Sequence, residues 1–382
     1  MNIARYKTRN QFRLDEIYTI LYNVIVKTRN VETIFIGMLT VLALGTVLHL
    51  LKDVFIPLTI AGLLSLMLTP VVNRLKKWKI PRAVGILLVM LALFFVIYIV
   101  GQLFYSSLQA FTQVFGIYQM RFIQIMEEVW IRFKIPREYF PQMVWTQELI
   151  NRLVQVTGSF VSFGSTLGLV LLFLVFMLAE TTLSWRKFRR AFPRRLSLSV
   201  GRAVADVSRQ VARYLGVKIF ISSVTGILVW LTLTLIGQDL APLWGLLAFF
   251  LNFIPNLGSF FIMAATMILG LIQFYPNWNR IAAVWIAMPA IQISMGNIID
   301  PQLQGDQLDL SPLVILVSLI FWGWIWGITG MFLAVPLTVA MKITLDHIDG
   351  LKPFSIMMGS GKMSRSFRRQ WRGKGKSRDE SG

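Results

Sequence analysis

The chain contains no cysteine and only two histidines among its 382 residues. The lack of cysteine excludes disulfide bonds, thiolate metal sites and cysteine nucleophiles. His49 and His347 lie almost 300 residues apart, one at the end of an apolar run and one near the C-terminus, so they predict no histidine cluster for a metal. We therefore expect neither an enzyme nor a protein with a bound metal or cofactor.

Charged residues are also scarce, at 15% of the chain against about 25% in soluble domains. The apolar residues, 55% of the total, gather in eight charge-free runs, each close to or above the roughly 20 residues that cross a bilayer. Core helices of soluble proteins keep a polar face, which these runs mostly lack. The sequence thus predicts an all-α, polytopic integral membrane protein with about eight transmembrane helices. The runs are Thr33–Leu51, Val54–Asn73, Ala83–Met120, Leu153–Ala179, Ile219–Gln238, Leu240–Asn279, Ile281–Ile299 and Leu310–Met341.

Acidic residues are half as common as basic ones, 18 against 38. The basic residues cluster in the loop 74–82, in the loop 180–213 and after residue 360. Lysine and arginine accumulate in cytoplasmic loops next to spans, where they attract anionic lipid headgroups. This placement favours membrane lipids over nucleic acid as partners. It also predicts three regions, a basic cytoplasmic segment 1–32, a transmembrane domain 33–345 and a disordered basic cytoplasmic tail 346–382.

Two short motifs are incomplete. The segment 359–364 reads GSGKMS but lacks the first glycine, the final Ser or Thr and the preceding strand of a phosphate-binding loop. The segment 300–305 reads DPQLQG and has the Asp and Gly spacing of a calcium loop, but its third and fifth positions are Gln302 and Gln304 and the twelfth is Ser311, where a bidentate glutamate belongs. Neither motif predicts ATP-driven transport or a cation site.

The charge distribution places both termini in the cytoplasm, so the number of crossings is even. An amphipathic helical region, about 108–157, is expected on the outer face. Segments 240–276 and 310–345 are each long enough to be one long span or a re-entrant hairpin. Because one hairpin in place of one span would break the parity, hairpins would have to come in compensating pairs.

Polar and helix-breaking residues interrupt the charge-free run 240–279. Asn252, Pro255, Asn256 and Gly258 lie within seven positions. Interrupted backbone at bilayer depth is costly unless it is buried in protein or lines a wet cavity, and transporters build binding sites from such discontinuous helices. The two asparagines either hydrogen-bond a solute or cap the ends of a kinked helix, and both can hold at once.

A second polar cluster follows the next apolar run. Asn297 and Asp300 are candidates for the path of a solute or ion, while Pro301, Gly305 and Pro312 would shape the backbone in a turn at 297–305. Carboxylates next to a span are costly to bury and tend to be functional. The alternative is an ordinary outer loop with solvated acids.

Small residues recur at spacings of four, three and four in the last run, at Gly323, Gly327, Gly330 and Ala334. On a continuous helix they share one face, which lets a second helix approach closely.

Three segments carry a family resemblance. Residues 252–258 read NFIPNLG, residues 56–75 read IPLTIAGLLSLMLTPVVNRL, and residues 300–342 read DPQLQGDQLDLSPLVILVSLIFWGWIWGITGMFLAVPLTVAMK. These segments resemble the AI-2E family of transporters, from about residue 33 to 345. The chain departs from the family pattern at Asp300, where glutamate is usual, and at Asn256, where an aromatic residue is common.

The resemblance implies a bacterial or archaeal protein of the cytoplasmic membrane that exports a small polar solute, as some members are implicated in exporting autoinducer-2 (AI-2). It also implies a homo-oligomer. We expect Asn252, Asn256 and Asn297 to contact the solute and Asp300 to couple charge. The alternatives are a sodium–proton antiporter, a passive channel and a structural organiser of the membrane.

Overall fold

The computed structural model describes residues 35–40, 42–133, 166–180, 186–304, 309–348 and 350–360. The chain divides into two compact units, Met1–Phe55 and Ile56–Gly382. The helices that build the hairpins and their surroundings, with the two N-terminal ones, are α1 (Phe35–Leu50), α2 (Lys52–Lys77), α3 (Arg82–Phe133), α4 (Thr166–Glu180), α5 (Arg194–Ile236), α6 (Ala241–Leu251), α7 (Leu257–Phe274), α8 (Trp278–Ile293), α9 (Asp300–Gln304), α10 (Pro312–Asp346) and α11 (Lys352–Met358). A short helical turn at 186–191 precedes α5. A π-helical segment, Ser294–Ile299, joins α8 to α9.

The described residues form helices and turns without a strand, so the all-α membrane class is confirmed. By length and composition alone, six helical stretches in the described part of the chain could cross a bilayer, and two of these, α7 and α10, belong to the hairpins described below. The number of crossings stays a prediction. The predicted segments 1–32 and most of 346–382 lie outside the described residues, as does the part of the amphipathic region after residue 133.

The helix α3 is much longer than a bilayer span. Its 52 residues correspond to about 78 Å, more than twice the roughly 30 Å hydrocarbon thickness. The helical spacing predicted from Leu108 to Val129 is confirmed, because this stretch continues α3 without a break.

Residues 241–274 form what we call the first hairpin, made of α6 and α7. Two hydrogen bonds join the chain before α6 to α7. Gln238 Nε2 donates to the Thr266 carbonyl at 3.0 Å, and Gln273 Nε2 donates to the Gly237 carbonyl at 2.9 Å. They show that α7 returns to where α6 begins. The α6 arm packs closely on α5, where a Cβ on Gly245 would lie 2.7 Å from the Gly226 carbonyl oxygen. Segment 240–276 is thus a hairpin with both ends on one side of the bundle.

Residues 312–346 form the second hairpin, which is α10 itself. Lys342 Nζ lies 2.8 Å from Asp309 Oδ2, although a straight helix would separate positions 33 residues apart by about 50 Å. The reversal is at Gly327, whose φ of 61° and ψ of −142° are not helical. The arm before Gly327 is about 22 Å long and the arm after it about 28 Å, so neither exceeds the roughly 30 Å hydrocarbon core.

The two hairpins meet near their turns, where the rings of Phe253 and Phe332 lie 6.1 Å apart. One buried cluster joins the first hairpin to α5 and α8 through residues such as Val229, Ile262 and Val284. Another joins the second hairpin to α5 through Val211 and Val339. Segments 240–276 and 310–345, each expected to be either one long span or a hairpin, are therefore both hairpins. Two hairpins together keep the expected number of crossings even.

Candidate functional site

A cavity of about 270 Å³ lies under the turn of the first hairpin. Its walls come from α5, from the turn 252–256, from the start of α7 and from the end of α8 with the π-helical segment. All four residues predicted for the solute or ion path line it. The polar lining residues, together with the proline of the turn, are Lys218, Asn252, Pro255, Asn256, Ser259, Gln292, Asn297 and Asp300.

The turn that forms the roof of the cavity closes most of its own backbone hydrogen bonds. The amides of Ile254 and Gly258 donate to the carbonyls of Leu251 and Ile254, at 2.9 and 3.2 Å. Asn256 has a φ of 62° and a ψ of −45°, and the Leu257 amide donates to the Pro255 carbonyl at 2.7 Å, so Asn256 is the central residue of a γ-turn, a strained conformation for a residue with a Cβ. Gly258 is required by space, since a Cβ there would lie 1.7 Å from the Leu251 carbonyl oxygen. The break predicted at Pro255 is thus a compact turn.

The asparagine side chains of this turn do not cap helices. Asn256 precedes α7 without a side-chain capping bond. Asn252 is 7% exposed, and its Nδ2 donates to Ser222 Oγ on α5 at 3.0 Å. The first asparagine therefore ties the turn to α5, and both present amide groups to the cavity.

The predicted turn at 297–305 is helical through Gln304 instead, so that expectation is wrong for the described residues. Pro301 lacks the amide hydrogen that an α-helix would donate to the residue four positions earlier. The wider π-helical turns of Ser294–Ile299 come just before the proline and accommodate that lost bond. Such π segments are frequent at functional sites, and this one brings Asn297 to the cavity. Gly305 lies outside the described residues.

An ion pair closes one side of the cavity. Lys218 Nζ lies 2.8 Å from Asp300 Oδ2, with the lysine side chain 4% and the aspartate side chain 14% exposed. Gln304 Nε2 donates to the other oxygen of Asp300. Asp300 is therefore a paired carboxylate and does not lie in a solvated loop. One buried charge of each sign makes this wall of the cavity electrically neutral.

Sequence reasoning missed Lys218. It lies inside the predicted fifth span, next to the charge-free run Ile219–Gln238, and an ionisable residue within a span is by itself a signal of function. The sequence does not reveal the partner of Lys218, because Asp300 is 82 residues further along the chain.

The amide of Gln292 is the most informative group in the cavity wall. Gln292 is 6% exposed, and its Nε2 has no hydrogen-bond partner among the described residues. A buried donor without an acceptor costs about 1–3 kcal/mol. An acceptor atom of a bound solute would remove that cost.

The small residues of α10 build the second hairpin. The expectation of one continuous small-residue face is not met, because the helix breaks at Gly327. Gly330 packs so closely against the first arm that a Cβ would lie 1.8 Å from the Trp322 carbonyl oxygen, and a Cβ on Gly323 would lie 3.0 Å from Met331. Ala334 is fully buried, and Pro312 begins the helix at a position where no amide hydrogen is needed. The close approach is thus between two arms of one hairpin.

Both ends of the second hairpin are fixed at its base. Lys342 Nζ donates to both the carbonyl and the carboxylate of Asp309, and Ser360 Oγ donates to the same carboxylate at 2.7 Å. Burial alone would raise the pKa of Asp309, but the hydrogen bonds from Lys342 and Ser360 outweigh it and lower that pKa below its ordinary 3.8.

Comparison with known proteins supports transport as the role of this architecture. The family profile described as AI-2E family transporter matches residues 34–350. A Borreliella burgdorferi protein named "Putative transport protein" is 34% identical over 337 residues, 88% of this chain and 93% of that protein. The AI-2 transport protein TqsA of Escherichia coli is 30% identical over 336 residues, 85% of this chain and 94% of TqsA. The part of the chain that matches the family profile includes both hairpins and the cavity under the first hairpin.

Proposed function

Because the chain belongs to the AI-2E family of transporters, we propose that it is a secondary transporter that moves a small polar solute through the cavity under the first hairpin. AI-2 is the first solute to test, since TqsA is named as an AI-2 transport protein. We place the protein in the cytoplasmic membrane with both termini in the cytoplasm, where the basic loops meet anionic lipid headgroups.

The observation that carries this proposal is the Gln292 amide, which has no partner among the described residues, in a cavity whose other polar lining comes from asparagines, a serine and a neutralised ion pair, beside apolar residues such as Phe260 and Met263. Binding sites for small molecules place a few polar groups in a largely apolar wall, and these groups fix the orientation of the ligand. Gln292 offers a donor, as does the Lys218 ammonium, which makes one hydrogen bond, to Asp300, within the described residues, and the carbonyl oxygens of Asn256 and Asn297 offer acceptors. A polyhydroxylated or carbonyl-bearing solute matches both kinds of group.

The hairpins give the cavity its means of opening. The two hairpins enter from opposite ends of the bundle and meet at Phe253 and Phe332, and Phe253 lies between two residues that line the cavity. Each turn contains a glycine in backbone contact with the opposite arm, Gly258 and Gly330. Movement of either turn would expose the cavity towards one end of the bundle, which is the requirement for alternating access.

Coupled exchange of a cation for protons is the second candidate. The Lys218–Asp300 pair favours it, because a cation that displaces Lys218 from Asp300 would exchange one positive charge for another at the carboxylate. The described structure offers no comparable support for a passive channel or a membrane organiser.

Counterflow in proteoliposomes tests the proposal. Vesicles that contain purified protein and are preloaded with unlabelled AI-2 should accumulate labelled AI-2 transiently, with saturation. Gln292→Leu should reduce the flux by about tenfold, as expected for the loss of one buried hydrogen bond. Gln102→Leu makes the same chemical change at an exposed position of α3 and should leave the flux unchanged.

Parallel vesicles with proton or sodium gradients separate the two candidates. A gradient that drives AI-2 accumulation supports coupled solute transport, while sodium-driven proton movement without AI-2 supports antiport. Flux that never saturates and shows no counterflow would contradict a carrier, and equal flux in the Gln292→Leu variant would remove this cavity from the path.

A further inference from the structure

A second cavity, of about 340 Å³, lies at the base of the first hairpin. Its polar lining comes from four elements, Tyr118 and Arg121 on α3, Asp239 between α5 and α6, Gln273 at the end of α7 and Arg280 at the start of α8. About 27 Å of α7 separates this end of the hairpin from the turn above the first cavity. The two cavities are thus distinct places in the fold.

Two guanidinium groups line this second cavity. Arg121 donates one N–H to the Gln273 carbonyl, and its remaining N–H groups have no partner in the part of the chain that the structure describes. Arg280 lies over the Phe274 ring, 5.5 Å from the ring centroid, and its guanidinium makes no hydrogen bond or ion pair with another residue that the structure describes. Guanidinium groups match the geometry of phosphate and carboxylate oxygens.

The cavity also holds one carboxylate with spare capacity. Asp239 Oδ2 accepts from Tyr118 Oη at 2.6 Å, and its backbone amide donates to Gln273 Oε1 at 2.9 Å. The other oxygen, Oδ1, has no partner within the described ranges. A purely anionic ligand would meet the two guanidinium groups but would leave Asp239 Oδ1 without a donor and place a second negative charge beside it. A ligand that also carries an ammonium group would satisfy both signs of charge.

Aromatic residues indicate that this cavity lies at the level of lipid headgroups. Tyr275 and Trp278 form an edge-to-face pair with centroids 5.9 Å apart, and Trp278 is 63% exposed. Tyrosine and tryptophan are enriched at membrane interfaces. Beside the cavity, Val114 and the exposed Ile117 present an apolar strip on α3 that suits an acyl chain.

We propose that this second cavity binds a zwitterionic group in which a phosphate is joined to a primary ammonium, the chemistry of an aminophospholipid headgroup. Arg121 and Arg280 hold the phosphate, and Asp239 accepts from the ammonium. A soluble phosphoethanolamine would share this chemistry. Bound there, the group bridges α3 to the base of the first hairpin.

Lipid retention measured by native mass spectrometry tests this inference. Delipidated full-length protein is offered equal amounts of phosphatidylethanolamine, phosphatidylcholine and phosphatidylglycerol in detergent. The expected result is about tenfold stronger retention of phosphatidylethanolamine than of phosphatidylcholine, because a trimethylated ammonium cannot donate the hydrogen bond to Asp239. Equal retention of the three lipids would overturn the proposal.

Matched variants locate the preference. Asp239→Asn should bring the retention of phosphatidylethanolamine close to that of phosphatidylcholine, and Arg280→Gln should weaken both. Arg202→Gln, at an exposed position of α5 away from this cavity, should change nothing. A preference that survives both Asp239→Asn and Arg280→Gln would contradict the assignment.

A separate arm distinguishes the two sources of the ligand. Free phosphoethanolamine is added to protein that has retained phosphatidylethanolamine. Lipid that stays bound at millimolar phosphoethanolamine supports a headgroup site, and specific, Asp239-dependent binding of phosphoethanolamine with no lipid preference supports a soluble ligand of the same chemistry. Binding of neither probe overturns the proposal. Melting temperatures of each variant in the same detergent establish that loss of binding is not loss of the fold.

Discussion

Removal of one partner from the Lys218–Asp300 pair should destabilise the protein strongly. In Lys218→Met the Asp300 carboxylate keeps only the hydrogen bond from Gln304, and in Asp300→Asn the lysine keeps its charge at 4% exposure without a counter-ion. A buried charge that loses its partner costs about 3–5 kcal/mol. Each single variant should therefore lower the free energy of unfolding by about that amount.

The double variant Lys218→Met/Asp300→Asn should be more stable than either single variant, because no unpaired charge remains. Replacing a buried ion pair with neutral groups is often close to neutral in stability. The coupling energy from the four proteins should thus exceed about 2 kcal/mol. If the role of the pair is transport, the double variant should fold and still lose solute-coupled flux.

Unfolding by sodium dodecyl sulfate in mixed micelles, followed by the fluorescence of the 12 tryptophans, measures these free energies. Asp346→Asn, at an exposed carboxylate at the end of α10, serves as the control and should stay within about 0.5 kcal/mol of the unmodified protein. The reasoning is refuted if the single variants also stay within that range, or if the effects of the two substitutions simply add in the double variant.

Three further predictions concern the hairpins. Gly258→Ala and Gly330→Ala should each cost about 3 kcal/mol, because a methyl group would overlap a backbone carbonyl. Gly216→Ala, where the added methyl group meets open space on α5, should instead stabilise the protein by about 0.5–1 kcal/mol, because alanine favours the helix more than glycine does. Equal effects at all three sites in the same unfolding assay would contradict this. Asn256→Ala should lower the free energy of unfolding by about 1 kcal/mol, whereas Asn256→Gly should be tolerated, because the φ of 62° disfavours a residue with a Cβ. Equal melting temperatures of the alanine and glycine variants would contradict this. Because folding lowers the pKa of Asp309, the ionised carboxylate contributes stability that is complete above its ordinary pKa of 3.8 and is lost as the pH falls through the lower folded value. Asp309→Asn should therefore reduce the loss of stability at acid pH in a profile of unfolding free energy against pH. An unchanged profile would show that this carboxylate is not linked to folding.

The helical membrane class follows from the sequence because lipid imposes length and polarity on each span separately. The places where the helix is broken also follow in part. Asn252, Pro255 and Gly258 were identified by their chemistry alone, and the structure shows a turn there.

The direction of the chain after each break does not follow from the sequence. Proline and glycine signal an interruption, but a kink and a reversal differ only in the contacts made afterwards, such as Lys342 with Asp309 and Gln238 with Thr266. Those partners are 33 and 28 residues apart. The residue pattern within one helix-length segment of the sequence carries no information about contacts between residues so far apart.

The π-helical segment and the lysine of the cavity escaped prediction for similar reasons. A π segment has no distinctive composition, and Pro301 reads equally well as the start of a turn. Lys218 is conspicuous in the sequence as an ionisable residue within a span, but its pairing with Asp300, 82 residues further along, follows only from the structure.

Solute protection of engineered cysteines tests the central claim most directly, because the chain has no cysteine of its own. Ser259→Cys and Asn297→Cys place a thiol in the cavity, and Ser106→Cys places one at an exposed site on α3. If the solute binds under the first hairpin, saturating AI-2, or another solute that shows counterflow, should slow alkylation at the first two positions and leave the third unchanged. Identical alkylation rates with and without a transported solute at all three positions would contradict the account.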